Sequence, residues 1–134
     1  MQLITTDTGW RLSLDEGYIG RLEIDFRLGF HLADKTEWFR LWIESPCRIR
    51  EGNKITALVP NSAMTLAPAL ALFNAKVTDI SFEKTGQLAL HLKDGRSVEV
   101  DPDEQYEAWE ISSDTLGGIL TCPPGGDLSL FKTT

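Results

Sequence analysis

Arg21-Leu22-Glu23-Ile24-Asp25-Phe26-Arg27-Leu28-Gly29-Phe30-His31-Leu32 alternates apolar and polar side chains with a period of two. Leu22, Ile24, Phe26, Leu28, Phe30 and Leu32 fall on one side, and Arg21, Glu23, Asp25, Arg27 and His31 on the other. Extended chain with one face on a core and one in water has this pattern, so the stretch reads as a half-buried antiparallel pair. Ala33-Asp34-Lys35-Thr36 then reads as a turn before the strand Glu37 to Glu44, in which Phe39, Leu41 and Ile43 alternate with Trp38, Arg40 and Trp42. Large apolar groups on both faces imply a strand that is covered on both sides or that offers its tryptophans to a partner.

Val77 to Val100 repeats the scheme. Ile80 and Phe82 lead through Lys84-Thr85-Gly86 to Leu88, Leu90 and Leu92, and Asp94-Gly95 makes a tight hairpin before Val98 and Val100. Phe30-His31-Leu32-Ala33-Asp34 can be laid over Leu90-His91-Leu92-Lys93-Asp94, and Leu22 to Phe26 over Thr78 to Phe82, which implies an internal duplication with a three-residue difference in the first turn. Between the halves, Thr65 can cap a short helix, Pro68 fits its first turn, and Leu66, Leu70 and Phe73 share a face. Tyr106 to Ile111 reads as a strand, followed by Gly117 to Cys122, a Pro123-Pro124-Gly125-Gly126 turn, and Leu128 to Phe131 closing a last hairpin. The expected fold is α+β and mostly β: an antiparallel sheet of two related β-meanders, about residues 20–50 and 77–131, joined by one short helix near 65–74. All of 1–134 forms a single domain in this reading.

Composition narrows the functional classes. With 42% apolar and 25% charged residues the chain can build a core, and 20 acidic against 13 basic residues give a formal charge of −7. That charge repels nucleic acid and anionic membrane and attracts basic surfaces. It also serves simply to keep a small protein in solution. The opening Met1-Gln2-Leu3-Ile4-Thr5-Thr6-Asp7 lacks the cationic start and long apolar run of a secretory signal, and no later stretch is long enough to span a membrane, so a cytoplasmic location is expected. Cys47 and Cys122 are too few for a disulfide framework and lack the spacing of a zinc site, and read as reduced thiols.

Leu92-Lys93-Asp94-Gly95, Val98 to Asp103, Tyr106-Glu107-Ala108-Trp109-Glu110 and Cys122 to Leu128 together resemble a bacterial family known only as a domain of unknown function, number sixty-one eighty-eight. The resemblance spans roughly Gly20 to Phe131. It includes an early Ile24-Asp25-Phe26, a helix with Leu70-Ala71-Leu72, the run from Pro102 to Trp109, and a Pro124-Gly125-Gly126 turn. This sequence departs from the pattern in Leu130-Phe131, where the family commonly has tryptophan, and in an additional proline before Gly125. The resemblance implies no catalytic residue and no ligand. Small acidic proteins of this kind also look like the immunity partners of polymorphic bacterial toxins, including those of contact-dependent inhibition systems.

The strongest local feature is an acidic run, Glu99, Asp101, Asp103, Glu104, Glu107 and Glu110, enclosing Tyr106 and Trp109 with no Lys or Arg between its ends. Carboxylates around aromatics can mimic a phosphate backbone and occupy the basic cleft of a nuclease, the rings supplying the buried anchor and the charges fast association. The same residues also read as an ordinary Asp101-Pro102-Asp103 turn beside core aromatics. Trp38, Arg40 and Trp42 make a second candidate surface unless the helix covers them. His31 and His91 occupy matching places in the two meanders without a ligand set around them, and no metal or cofactor is expected. No nucleotide, zinc-protease or serine-hydrolase motif occurs, and the paired glycines sit at hairpin ends. The expectation is a non-enzymatic immunity protein that binds a basic toxin domain, probing it with Asp101, Asp103, Glu104, Tyr106, Glu107, Trp109, Glu110, Trp38 and Trp42. Its partner is protein and neither nucleic acid nor membrane, and the chain itself is a monomer or weak homodimer. The alternative is a homo-oligomeric structural or adaptor module.

Overall fold

A computed structural model describes residues 1–129. Its strands are β1 (Gln2–Thr5), β2 (Gly9–Ile24), β3 (Leu28–Ala33), β4 (Trp38–Ile43), β5 (Cys47–Glu51), β6 (Lys54–Leu58), β7 (Lys76–Glu83), β8 (Leu88–Leu92), β9 (Ser97–Val100), β10 (Trp109–Ser113) and β11 (Gly118–Thr121). One 3-10 helix, Ala63–Leu72, separates β6 from β7. All 11 strands join one antiparallel sheet in the order β11-β10-β4-β3-β2-β7-β8-β9-β5-β6, with β1 beside β2 off this path.

That order is a palindrome. β2 and β7 pair antiparallel at its centre, and β2-β3-β4 on one side mirrors β7-β8-β9 on the other. Each half then hands its last hairpin to its counterpart: β5-β6 joins the edge of β9, and β10-β11 joins the edge of β4. The registers match along both wings, Leu22·Phe30·Leu41·Ile111·Leu120 on one and Ile80·Leu90·Val98·Ile49·Thr56 on the other. A pseudo-two-fold axis therefore runs between β2 and β7. Both hairpins are followed by a turn on the same plan, Val59-Pro60-Asn61-Ser62 with Ser62 N–H on the Val59 carbonyl, and Pro123-Pro124-Gly125-Gly126 with Gly126 N–H on the Pro123 carbonyl.

The sheet curls so that its wings share one core. Phe82 of β7 stacks on Trp10 (5.9 Å between centroids) and tilts against Trp109 of β10 (6.0 Å). Leu12, Phe30, Leu41, Ile80, Leu90 and Val98 are fully buried in the same cluster. Among the described residues the outer strands β11 and β6 do not pair with each other, and the sheet stays open.

The two meanders are present, and their alignment needs correction. Leu22 corresponds to Ile80 and not to Thr78, because Leu22 pairs with Phe30 and Ile80 with Leu90. Both turns hold three residues, Asp25 to Arg27 and Lys84 to Gly86; the second hairpin instead has one more cross-strand pair, Glu83 with Gln87. The first half also begins earlier than Gly20 and ends later than Arg50. Glu16 (φ 55°) and the register shifts in β2 break the alternation there, and β5-β6 is a charged hairpin with little apolar period.

Other boundaries move as well. Tyr106, Glu107 and Ala108 precede β10, Leu128 lies outside any strand, and Leu130 and Phe131 fall outside the described residues. Ile24 and Phe26 are exposed at the hairpin end and are not core. The helix buries Leu66, Ala69 and Leu72, at the three-residue spacing of a 3-10 turn, leaving Leu70 and Phe73 outside. Ser62 and not Thr65 stands at its cap; the Thr65 hydroxyl accepts from Val59 N–H (2.8 Å) and donates to the Ser62 carbonyl (2.8 Å).

Candidate functional site

The β2-β3 turn is held by its own charges. Arg27 lays a fork on Asp25, with Nε to Oδ1 at 3.0 Å and Nη2 to Oδ2 at 2.7 Å, and the hydrogen bonds from Arg27 lower the Asp25 pKa. The same guanidinium sits 4.0 Å from the centre of the Trp42 ring. Trp42 in turn lies on Gly29, where a Cβ would come within 2.5 Å of the indole, so only glycine lets the ring settle. With Arg27 drawn down over Trp42, the middle residue of the turn is pushed outward. Phe26 is 83% exposed at φ 72°, a left-handed conformation that a bulky side chain adopts at a cost of about 1–3 kcal/mol.

Facing this turn is the connection from β9 to β10. Asp103 Oδ1 accepts the N–H groups of Gln105 (2.8 Å) and Tyr106 (3.0 Å), and the Asp103 carbonyl accepts Gly125 N–H (2.7 Å). The bend so made leaves Tyr106 70% exposed. The shorter connection from β4 to β5 crosses it near the axis, where Glu44 N–H (2.9 Å) and Ser45 N–H (3.3 Å) share the Ala108 carbonyl. Between these three segments lies a cleft of about 690 Å³ lined by Phe26, Arg27, Glu44, Asp103, Tyr106 and Glu107 among others. Loss of hydration raises the Glu44 pKa; Arg27 opposes this, while Glu107, Glu110 and Asp25 add to it. Among the described residues Arg27 is the single cation of the lining, and it is already committed to Asp25 and Trp42.

The residues expected to contact a partner divide. Asp103, Tyr106 and Glu107 line the cleft, and Glu104 is exposed on the same connection. Glu110 lies opposite Trp42, where its charge reaches Glu44 and Arg27. Asp101 turns to the other wing and bonds Arg48 at 2.8 Å, beside Glu99, which accepts from both Arg48 and Arg50 at 2.9 Å. Trp109 is 0% exposed and donates its indole N–H to the Gly86 carbonyl (2.8 Å), so it is a core residue and offers no contact surface. Trp42 is likewise buried, under Arg27. Trp38 is exposed, edge-on to Tyr18 at 6.0 Å and above Gly20, away from the cleft lining.

Phe26 and Glu44 were missing from the expected set. Period-two reading carried Phe26 into the core face because it ran straight through the turn, and Glu44 is marked in the sequence only by the Ser45-Pro46 that ends its strand. The two histidines do occupy matching positions but stay with separate partners: His31 meets Glu23, and His91 lies 3.0 Å from the Ser81 hydroxyl. Cys47 and Cys122 are free and buried, and burial pushes the Cys47 thiol up to about 12. No helix among the described residues is long and apolar enough to cross a membrane.

Three of the segments carrying the family resemblance meet at this cleft: Phe26 of the Ile24-Asp25-Phe26 segment, Asp103, Tyr106 and Glu107 of the Pro102–Trp109 run, and Pro124 of the Pro124-Gly125-Gly126 turn line it, whereas the helix segment Leu70-Ala71-Leu72 and the Leu92–Gly95 hairpin do not. No curated protein and no solved structure matches the chain. The model of a family of unknown function (DUF6188) matches residues 10–132, from the start of β2 to beyond β11, and the chain belongs to that family.

Proposed function

We propose that the protein is an immunity protein that binds a cationic toxin domain and blocks its active site, and that the cleft between the β2-β3 turn and the β9-β10 connection is the contact surface. The observation that carries this reading is the pairing of two exposed rings, Phe26 and Tyr106, with the carboxylates of Glu44, Asp103 and Glu107 around one concavity whose only cation among the described residues is internally bound. Exposed aromatics held on short, hydrogen-bonded turns provide anchors of low conformational entropy, while the carboxylates steer a basic partner and exclude acidic ones. A nuclease site built to receive phosphates presents the complementary charge, and its occlusion requires no chemistry from this chain. The cytoplasm, where a self-directed toxin would act, is the location this role demands.

Co-expression with a toxin domain, where one is encoded beside this chain, tests the reading. Growth should be restored by the native chain and lost with Tyr106→Ala/Glu107→Lys at unchanged protein level. Growth that stays arrested with the native chain contradicts the proposal. A second reading, self-association as a structural module, draws on the exposed Met64 and Leu70 of the helix, on Phe73 just past its end and on Trp38. Light scattering separates the two, a monomer agreeing with the inhibitor and a stable dimer with the module.

A further inference from the structure

The pseudo-symmetry gives this cleft a counterpart in the other half of the chain. In the second half the β7-β8 turn is covered by the chain itself. After the Pro123–Gly126 turn the backbone runs on, Leu128 N–H bonds the Lys84 carbonyl (2.7 Å), and the Leu128 side chain is buried to 4% exposure. Gly126 packs so close to this turn that a Cβ on it would stand 2.1 Å from the Thr85 carbonyl.

The first half repeats the frame and, among the described residues, leaves it uncovered. Leu58 and Cys122 correspond, since they pair with the corresponding residues Cys47 and Trp109, and so Ser62 corresponds to Gly126 and Met64 to Leu128. Here the chain coils into the 3-10 helix after Ser62 and does not run on, and Met64 is 92% exposed. The β2-β3 hairpin is also one cross-strand pair shorter than β7-β8, so its turn stops about 3 Å further back. The shorter hairpin and the diverted chain together open the cleft against Phe26, Arg27, Ser45, Pro46 and Asn61, where the equivalent turn touches Pro102, Cys122 and Gly126.

We propose that this cleft receives an extended cationic segment of the partner protein, which lies along the β2-β3 turn as residues 126–128 lie along the β7-β8 turn. One apolar side chain of the segment takes the place that Leu128 occupies in the other half, between Phe26 and Tyr106. Flanking Lys or Arg groups meet Glu44, Asp103 and Glu107. Charge selects the occupant: the chain's own covering segment carries Asp127, which the carboxylates of this cleft would repel, and a basic segment reverses that sign. The inference rests on the proposed function and specifies its mode of recognition.

The test is a nuclear magnetic resonance titration of the full chain with capped pentapeptides that copy residues 125–129 in outline. Gly-Gly-Lys-Leu-Lys should move the amide signals of residues 25–27, 44, 61–62 and 103–107. Gly-Gly-Glu-Leu-Glu should bind at least about tenfold more weakly, and Gly-Gly-Lys-Ala-Lys should lose a similar factor through its missing anchor. Glu107→Lys should weaken the first peptide by about tenfold as well. Equal responses to the cationic and acidic peptides, or shifts centred elsewhere, overturn the proposal. So do shifts at residues 25–27 that grow with protein concentration alone, which would make a second copy the occupant. Should a toxin domain be neutralised while no peptide enters the cleft, the extended-segment mode falls and the immunity reading stands; peptide binding without neutralisation does the reverse.

Discussion

Phe26 is held in a left-handed backbone conformation with 83% of its surface in water, so folding gains little from its ring and bears the strain of placing it. Asn tolerates that conformation better than Phe. Phe26→Asn is therefore expected to raise stability by about 0.5–1 kcal/mol in a denaturant titration while weakening partner binding, the opposition that marks a side chain kept for contact. Glu99 is the contrasting case, a carboxylate of the acidic run that serves the fold. Hydrogen bonding from Arg50 is the main cause, opposed by burial and helped by Arg48 and Ser97, and together they lower its pKa from 4.5 to about 2. A folded-state pKa below the unfolded one contributes stability that is complete above the unfolded value and is lost as pH falls through the folded one. The window is thus from about pH 4.5 down to about pH 2. Glu99→Gln should cost about 2 kcal/mol at neutral pH, discounted for the half-exposed arginines, and should flatten the stability curve across that window.

Hairpins were the elements most legible in the sequence, because a meander needs only period-two patterning and turn residues. The strands β3, β4, β7, β8 and β9 follow directly from Phe30, Leu41, Ile80, Leu90 and Val98. What stayed hidden was set by tertiary structure. β2 changes partners along its length and bulges, so Trp10, Leu12 and Ile19 do not share one alternation; the helix takes a period of three and exposes Leu70 and Phe73. Of the acidic run and the rings it encloses, the sequence singled out Asp103, Tyr106 and Glu107 as partner contacts without showing the cleft they line. It did not tell them from Trp109 and Asp101, whose roles depend on which wing each faces. The β3-β4 hairpin supports the site through one close contact. Gly29→Ala would force a methyl into the Trp42 ring, and should destabilise the protein by about 1–3 kcal/mol and release Arg27 from the indole, read as a change in tryptophan fluorescence.

At the scale of the molecule, the exchanged hairpins make each half depend on the other. β5-β6 finds its ladder only on β9, and β10-β11 only on β4. Fragments 1–74 and 75–134 should accordingly lack a native circular-dichroism spectrum when separate and regain it on mixing, whereas two independently folded halves would show it alone. The same exchange brings the β4-β5 and β9-β10 connections together near the axis, and the cleft lies between them and the β2-β3 turn, with the net charge of −7 setting the long-range field around it. Hydrogen-exchange mass spectrometry of the chain with and without the proposed toxin partner tests this assignment most directly. Slowed exchange at residues 25–27, 44–46 and 103–107, with the helix and the outer face of β5-β6 unchanged, is the result expected. Protection confined to the helix or to that outer face, with the cleft exchanging as in the free protein, would contradict it.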